Sequence, residues 1–220
     1  KIGRTSVKFD GTGDYLTATM ASAFGTGDFT VEGWVRSSSS DNHGMFQINT
    51  SDFGGAGGIA VAPRSGSNGW TVYLGSGTSF NTNITCSQDT WHHVAVVRVS
   101  GTSYVYIDGA LLRSQADTTN YTGTNLVIGG YYSSSFTLNG YVDEFRISNT
   151  AVYTSTFTPP TATFANNDDT QLLLHFEGWS NTESNNFVDD NGQGARLGAE
   201  SWQTNLDTPS VQGGKFGQCY

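Results

Sequence analysis

Carboxylates, imidazoles and aromatic rings are the side chains of this sequence with chemistry to offer. Asp143 and Glu144 are adjacent in Val142-Asp143-Glu144-Phe145, an alternating, strand-like run. On a regular strand, neighbours point to opposite faces, so these two carboxyls are not expected to act together as acid and nucleophile. Glu32 stands alone among apolar neighbours, and three of the five Glu lie beyond residue 165. His92-His93 alternate in the same way, with one ring expected packed and one exposed. A zinc site would need more ligands beside them, and His43 and His175 stand apart. Asp14, Asp28 and Asp108 lie in turn sequences and read as turn formers. Asp189-Asp190-Asn191-Gly192 lacks the alternating acids and closing Glu of a calcium loop and also reads as a turn. No Gly-x-Ser-x-Gly elbow occurs, and no Gly-rich phosphate loop precedes a helix. Cys86 and Cys219 match neither a catalytic nor a zinc pattern.

The aromatics point to a different chemistry. Tyr131, Tyr132 and Phe136 share the loop Tyr131-Tyr132-Ser133-Ser134-Ser135-Phe136, and Trp70 and Tyr73 lie in or beside Gly/Ser-rich stretches. Exposed rings that stack on sugars, beside Asn and Asp that bond hydroxyls, equip a carbohydrate site. The same rings also serve to pack over the rim of a sandwich. Trp34 and Trp91 open or punctuate apolar strands and are expected in the core.

Composition sets the frame for these residues. The 220-residue chain has 28 Gly, 13% charged and 13% aromatic residues, and a net charge of −9. So many aromatics argue against disorder. An acidic chain is a poor match for a phosphate backbone, so no nucleic-acid partner is expected. No apolar run is long enough for a membrane-spanning helix. The chain opens at Lys1 without an apolar leader and is expected to be an excerpt or a processed product. The composition has the look of a secreted or virion-surface protein.

Short apolar or alternating runs recur between Gly, Asn, Asp and Ser turns, among them Phe29–Arg36, His92–Val99, Ser103–Ile107 and Gly140–Ile147. Asp108-Gly109 between apolar runs is a strong hairpin signal. One helical turn is expected at Ala151–Tyr153. The pattern is that of a two-sheet sandwich or barrel. Thr158-Pro159-Pro160-Thr161 interrupts it, and the charge then changes: residues 1–165 hold 11 acids and 8 bases, residues 166–220 hold 8 acids and 2 bases. A domain over 1–165 and an acidic segment over 166–220 are expected.

Four stretches in order resemble the laminin-G-like branch of the concanavalin A-like lectin/glucanase jelly rolls. They are Val7-Lys8-Phe9-Asp10-Gly11 with Tyr15-Leu16; Gly27-Asp28-Phe29-Thr30-Val31-Glu32-Gly33-Trp34-Val35; Trp91-His92-His93-Val94-Ala95-Val96-Val97-Arg98 with Tyr104 to Gly109; and Leu138-Asn139-Gly140-Tyr141-Val142-Asp143-Glu144-Phe145-Arg146. The resemblance implies an all-β, two-sheet antiparallel jelly roll and a non-catalytic, lectin-like module that binds a glycan or polysaccharide. In calcium-binding members an Asp at the matching late strand ligates the ion with backbone oxygens near the opening strand. Here those would be Asp143, Asp10 and Gly11; otherwise Asp143 would pair with Arg146 or Arg36. Glucanases of this kind carry Glu-x-Asp-x-(x)-Glu on one strand, and no such triplet occurs, so no enzyme is expected.

Leu172-Leu173-Leu174-His175-Phe176-Glu177-Gly178 resembles the first strand of a following repeat. Such tandem repeats are known in phage fibres and adhesins, which implies an extracellular or virion surface. The segment 166–220 is expected to close its own domain or to join a neighbouring subunit. A self-assembling structural module that uses the lectin fold only as scaffold is the alternative role.

Overall fold

The computed structural model describes residues 2, 6–39, 43–49, 57–64, 69–75, 79–81, 84–130, 136–176 and 203–204. Fourteen strands are seen among them, in two antiparallel sheets, and no helix. Residues 151–153, expected as a helical turn, carry no helix and are partly a bend.

Sheet one is built around β12 (Asn139–Ser148). On one side it pairs with β3 (Phe29–Ser37), which leads to β8 (Trp91–Val99), β9 (Thr102–Ile107) and the edge strand β10 (Ala110–Ala116). The other side of β12 is shared end to end. β1 (Val7–Asp10) covers its first half, with Val7 opposite Val142, and β13 (Thr170–Leu174) covers its second half, with Leu174 opposite Phe145. The first strand of the acidic segment therefore completes the sheet of its own chain. Leu172 and Leu174 enter the same core as Val7 and Phe9.

Sheet two runs β14 (Gln203–Thr204), β2 (Leu16–Thr19), β11 (Asn125–Ile128), β4 (Phe46–Asn49), β5 (Ile59–Ala62), β6 (Thr71–Leu74) and β7 (Ser79–Asn81). Its inward residues Leu16, Ile128, Phe46, Val61 and Val72 meet Phe29, Val31, Val35, Phe145 and Ile147 of sheet one in one continuous core. The period of two in these strands decides which side of each residue faces that core.

The β9–β10 connection is the two-residue turn read from the sequence. Asp108 and Gly109 both have positive φ, 50° and 76°, as a type I′ hairpin requires. The chain after β12 crosses the outer face of sheet one to reach this turn. There the Phe157 amide donates to the Gly109 carbonyl at 3.0 Å. A Cβ on Gly109 would run into the Phe157 carbonyl, so the residue type serves both the turn and the docking of this strap.

Candidate functional site

The outer face of sheet one carries an unusual load of buried charge. Glu32 on β3 and Arg146 on β12 are register partners. The Arg146 Nε donates to Glu32 Oε1 at 2.9 Å, with Nη2 on the same oxygen. His93 Nε2 and the Tyr153 hydroxyl meet the other oxygen at 3.1 and 2.8 Å. Glu32 and His93 are fully buried. Burial alone would raise the Glu32 carboxyl, but the bond from His93 and the Arg146 charge outweigh it and hold it below the usual glutamate range. Burial, with the Glu32 carboxylate beside it, pushes the Tyr153 phenol well up. The rings of Phe157 and Phe164 pack edge-on to His93 at 5.6 and 6.0 Å and seal the cluster. A Glu, a His, an Arg and a Tyr in contact could do acid–base chemistry, but here they form a dry anchor for the strap.

Asp143 and Glu144 are also fully buried, and the strand between them is not regular. Pairing with β3 shifts between Asp143 and Arg146, and Glu144 has φ of 48°. This is a β-bulge opposite Gly33, where a Cβ would meet Met45 and Phe145 at 3.2 Å. The extra residue lets Val142 and Phe145 both enter the core. Both intervening carboxylates therefore lie off the core face, which corrects the expectation of opposite faces. Glu144 accepts the Phe164 amide at 2.7 Å and meets His175 Nδ1 at 2.8 Å. Asp143 accepts the Ile2 amide at 2.9 Å. The two arginines expected beside it serve other acids: Arg146 holds Glu32, and Arg36 bridges to Asp89 at 3.3 Å.

The calcium set implied by the family resemblance does not fit this geometry. Asp10 lies opposite Asn139, whereas Asp143 lies beyond Val7, the other end of β1. At strand rise the two are about 13 Å apart. Asp10 Oδ1 accepts the Thr12 amide at 2.8 Å, so Asp10 and Gly11 form a turn of their own. No group of three His, Cys, Asp or Glu side chains comes together among the described residues. Asp143→Asn is therefore expected to leave the response of the thermal midpoint to millimolar calcium unchanged; a calcium-induced rise lost in that variant would restore the family's set.

The histidines and turn acids resolve similarly. Both rings of the His92-His93 pair are packed, His92 against Trp70 at 5.6 Å and bonded to Asp108 at 2.7 Å. Burial tends to raise the Asp108 carboxyl, but bonds from His92 and the His93 amide prevail and lower it. Asp14 and Asp28 accept backbone amides of Asp10 and Ser100. Cys86 is a buried free thiol pushed up to about 12 by burial and Asp108; Cys219 and the 189–192 turn lie outside the described residues.

The aromatic candidates divide. Trp70 has no exposed surface and is among the largest core side chains, so no sugar reaches it, which corrects its expected place in a binding loop. Its strand-leading position puts it between the sheets beside His92, and nothing in that loop-like run of residues marks the ring as inward. Trp34 and Trp91, expected in the core, are instead half-exposed on the outer face of sheet one. They alternate with the inward Val35 and Val94. Tyr131 and Tyr132 lie outside the described residues, and Phe136 is 38% exposed.

Tyr73 is half-buried on the outward face of sheet two, packed against Ala60 and Ala62. The register sets Thr17, Val127, Gln47, Ala60 and Tyr73 in one row across five strands. No member of that row is charged. Gln47, Ala60 and Val127 of that row are buried, so Thr17 and Tyr73 are its accessible members. A planar ring raised over methyl groups can stack on a sugar ring.

The comparison with known families decides the larger relationship. Residues 10–156 match the model described as the concanavalin A-like lectin/glucanases superfamily. The chain belongs to that superfamily. Its two-sheet architecture agrees with membership. Among solved structures, a Bacteroides ovatus protein assigned to carbohydrate binding superposes with a TM-score of 0.68 at 15% identity, covering 87% of this chain and 56% of that one. Domain 4 of an extracellular arabinanase from Geobacillus stearothermophilus, solved with arabinotriose, gives 0.51 at 18% identity, covering 67% of this chain and 72% of that one. Mouse laminin alpha1 domains LG4-5 give 0.53 at 15% identity, covering 74% and 47%. The chain thus spans about half the length of the Bacteroides and laminin chains. At these identities the likeness concerns the fold. No curated protein matches the chain.

Proposed function

We propose that this superfamily member is a non-catalytic carbohydrate-binding module, acting at a surface outside the cell or on a virion, and that Tyr73 of sheet two is a contact for the saccharide. The observation that carries this reading is the half-exposed Tyr73 ring on its bed of Ala60 and Ala62, in a row of the sheet that holds no charge. Membership of a lectin/glucanase superfamily and the sugar named for the arabinanase domain support the same class of ligand. A glycosidase needs two carboxyls facing one wet cleft. Glu32, Asp143 and Glu144, the acids nearest to such an arrangement, are buried and engaged as described above. Assembly by lending a strand to a neighbour has less support, because β13 already pairs with its own β12.

A glycan array read with the intact chain and with Tyr73→Ala tests the proposal. Neutral saccharides should bind, and the variant should bind about tenfold more weakly with an unchanged melting temperature. Equal binding by the variant would remove Tyr73 from the site, and no neutral ligand at all would overturn the reading.

A further inference from the structure

The strap that covers the outer face of sheet one leaves one row of that face half-exposed. Lys8 on β1 is the register partner of Tyr141 on β12, Tyr141 of Arg36 on β3, and Arg36 of Trp91 on β8. Four adjacent strands thus present cation, aromatic, cation, aromatic, over about 14 Å at ordinary strand spacing. All four side chains are half-exposed. The Lys8 Nζ lies 6.0 Å from the Tyr141 ring centroid and the Arg36 guanidinium 5.5 Å from it. The Trp91 and Tyr141 centroids are 6.3 Å apart although β3 separates their strands, so the rings lean together across Arg36.

The row is rich in hydrogen-bond donors. Among the described residues, Lys8 makes no ion pair, and Arg36 spends Nε and Nη2 on Asp89, leaving Nη1 outside that pair. Asp89 is exposed, and its carboxylate is shared with the Ser38 hydroxyl. Ammonium, guanidinium, indole N–H and phenol O–H together call for a ligand that brings acceptors and negative charge. Two of the ten bases of an acidic chain stand in this one row. A polyphosphate backbone would need many more cations against a net charge of −9.

We infer that the Lys8–Tyr141–Arg36–Trp91 row is a second binding site, for an acidic saccharide whose carboxylate or sulfate groups pair with Lys8 and Arg36 while its rings lie against Trp91 and Tyr141. The inference rests on the carbohydrate reading above only in taking a saccharide as the ligand. It places the acidic ligand on the opposite sheet from Tyr73, so one molecule can hold a neutral and an acidic chain at once.

Binding of dextran sulfate, polygalacturonate and uncharged dextran at low ionic strength tests it, with the intact chain, Lys8→Gln, Arg36→Gln, Trp91→Ala and Tyr73→Ala. The two acidic polymers separate sulfate from carboxylate recognition, and binding of either supports the site. Lys8→Gln and Arg36→Gln should each weaken acidic binding about tenfold, with a shallower salt dependence and an unchanged melting temperature. Trp91→Ala should weaken it too, and Tyr73→Ala should not. Acidic binding that is absent, or that survives loss of both cations, overturns the inference even if neutral glycans still bind through Tyr73. Acidic binding lost with Lys8 and Arg36, in a protein that binds no neutral glycan, sustains it while the Tyr73 reading falls.

Discussion

Glu32→Ala is expected to destabilise the fold by about 3–5 kcal/mol, because in a sealed pocket it strands Arg146 without its counter-charge and His93 Nε2 without its acceptor. For a chain of this size that lowers the melting temperature by roughly 6–20 °C. Leu at position 32 would leave the same two donors unanswered, whereas Glu32→Gln keeps the shape and loses the charge, and should fall between wild type and Ala. The wild-type pH profile carries the same signature. The folded-state Glu32 carboxyl lies below its ordinary value, so its contribution is fully present above about pH 4.5 and is lost as pH falls through the lower folded value. Melting temperatures of wild type and Glu32→Gln should therefore converge in acid. Parallel curves at all pH values would show that the carboxylate is not the anchor.

Ending the chain at residue 165 is expected to have an effect at least as large. It removes β13, exposes half of one edge of β12 and takes Leu172 and Leu174 from the core. Each leucine alone is worth about 2–5 kcal/mol on truncation to Ala. It also removes His175, a partner of the buried Glu144. The shortened protein should melt far lower and tend to associate through the bared edge. A synthetic peptide spanning residues 166–180 should restore the midpoint when added in trans. A truncated protein that keeps its stability and stays monomeric would mean that β13 contributes nothing to closure.

These two effects mark where the sequence was legible. Alternation in Phe29–Arg36 and His92–Val99, and the Asp108-Gly109 turn, are local signals, and the strands and the hairpin follow from them. The sandwich class followed from strand length and turn spacing. The Glu32 anchor was hidden because Arg146, His93 and Tyr153 reach it only through the register of three strands and the path of the strap. The bulge at Glu144 was hidden for a different reason: Val142-Asp143-Glu144-Phe145 alternates well enough to pass for a regular strand, and its insertion is visible only opposite Gly33. Trp70 and Trp91 exchanged their expected places, since a tryptophan beside a Gly/Ser stretch and one heading an apolar strand carry no label of face. The Lys8–Tyr141–Arg36–Trp91 row needed four strands in register before it existed as a unit.

The central place of β12 also has a consequence in time. β3 ends at Ser37, but the partner that covers it on one side does not begin until Asn139. During vectorial synthesis at about 5–20 residues per second, β3 waits several seconds for that partner. β1 waits longer still, since its described pairing is with β12 alone. The nascent chain therefore holds Val7, Phe9 and one flank of β3 uncovered until β12 has left the ribosome. Such a high contact order predicts slow, late and abrupt folding, with β12 as the step that commits the chain.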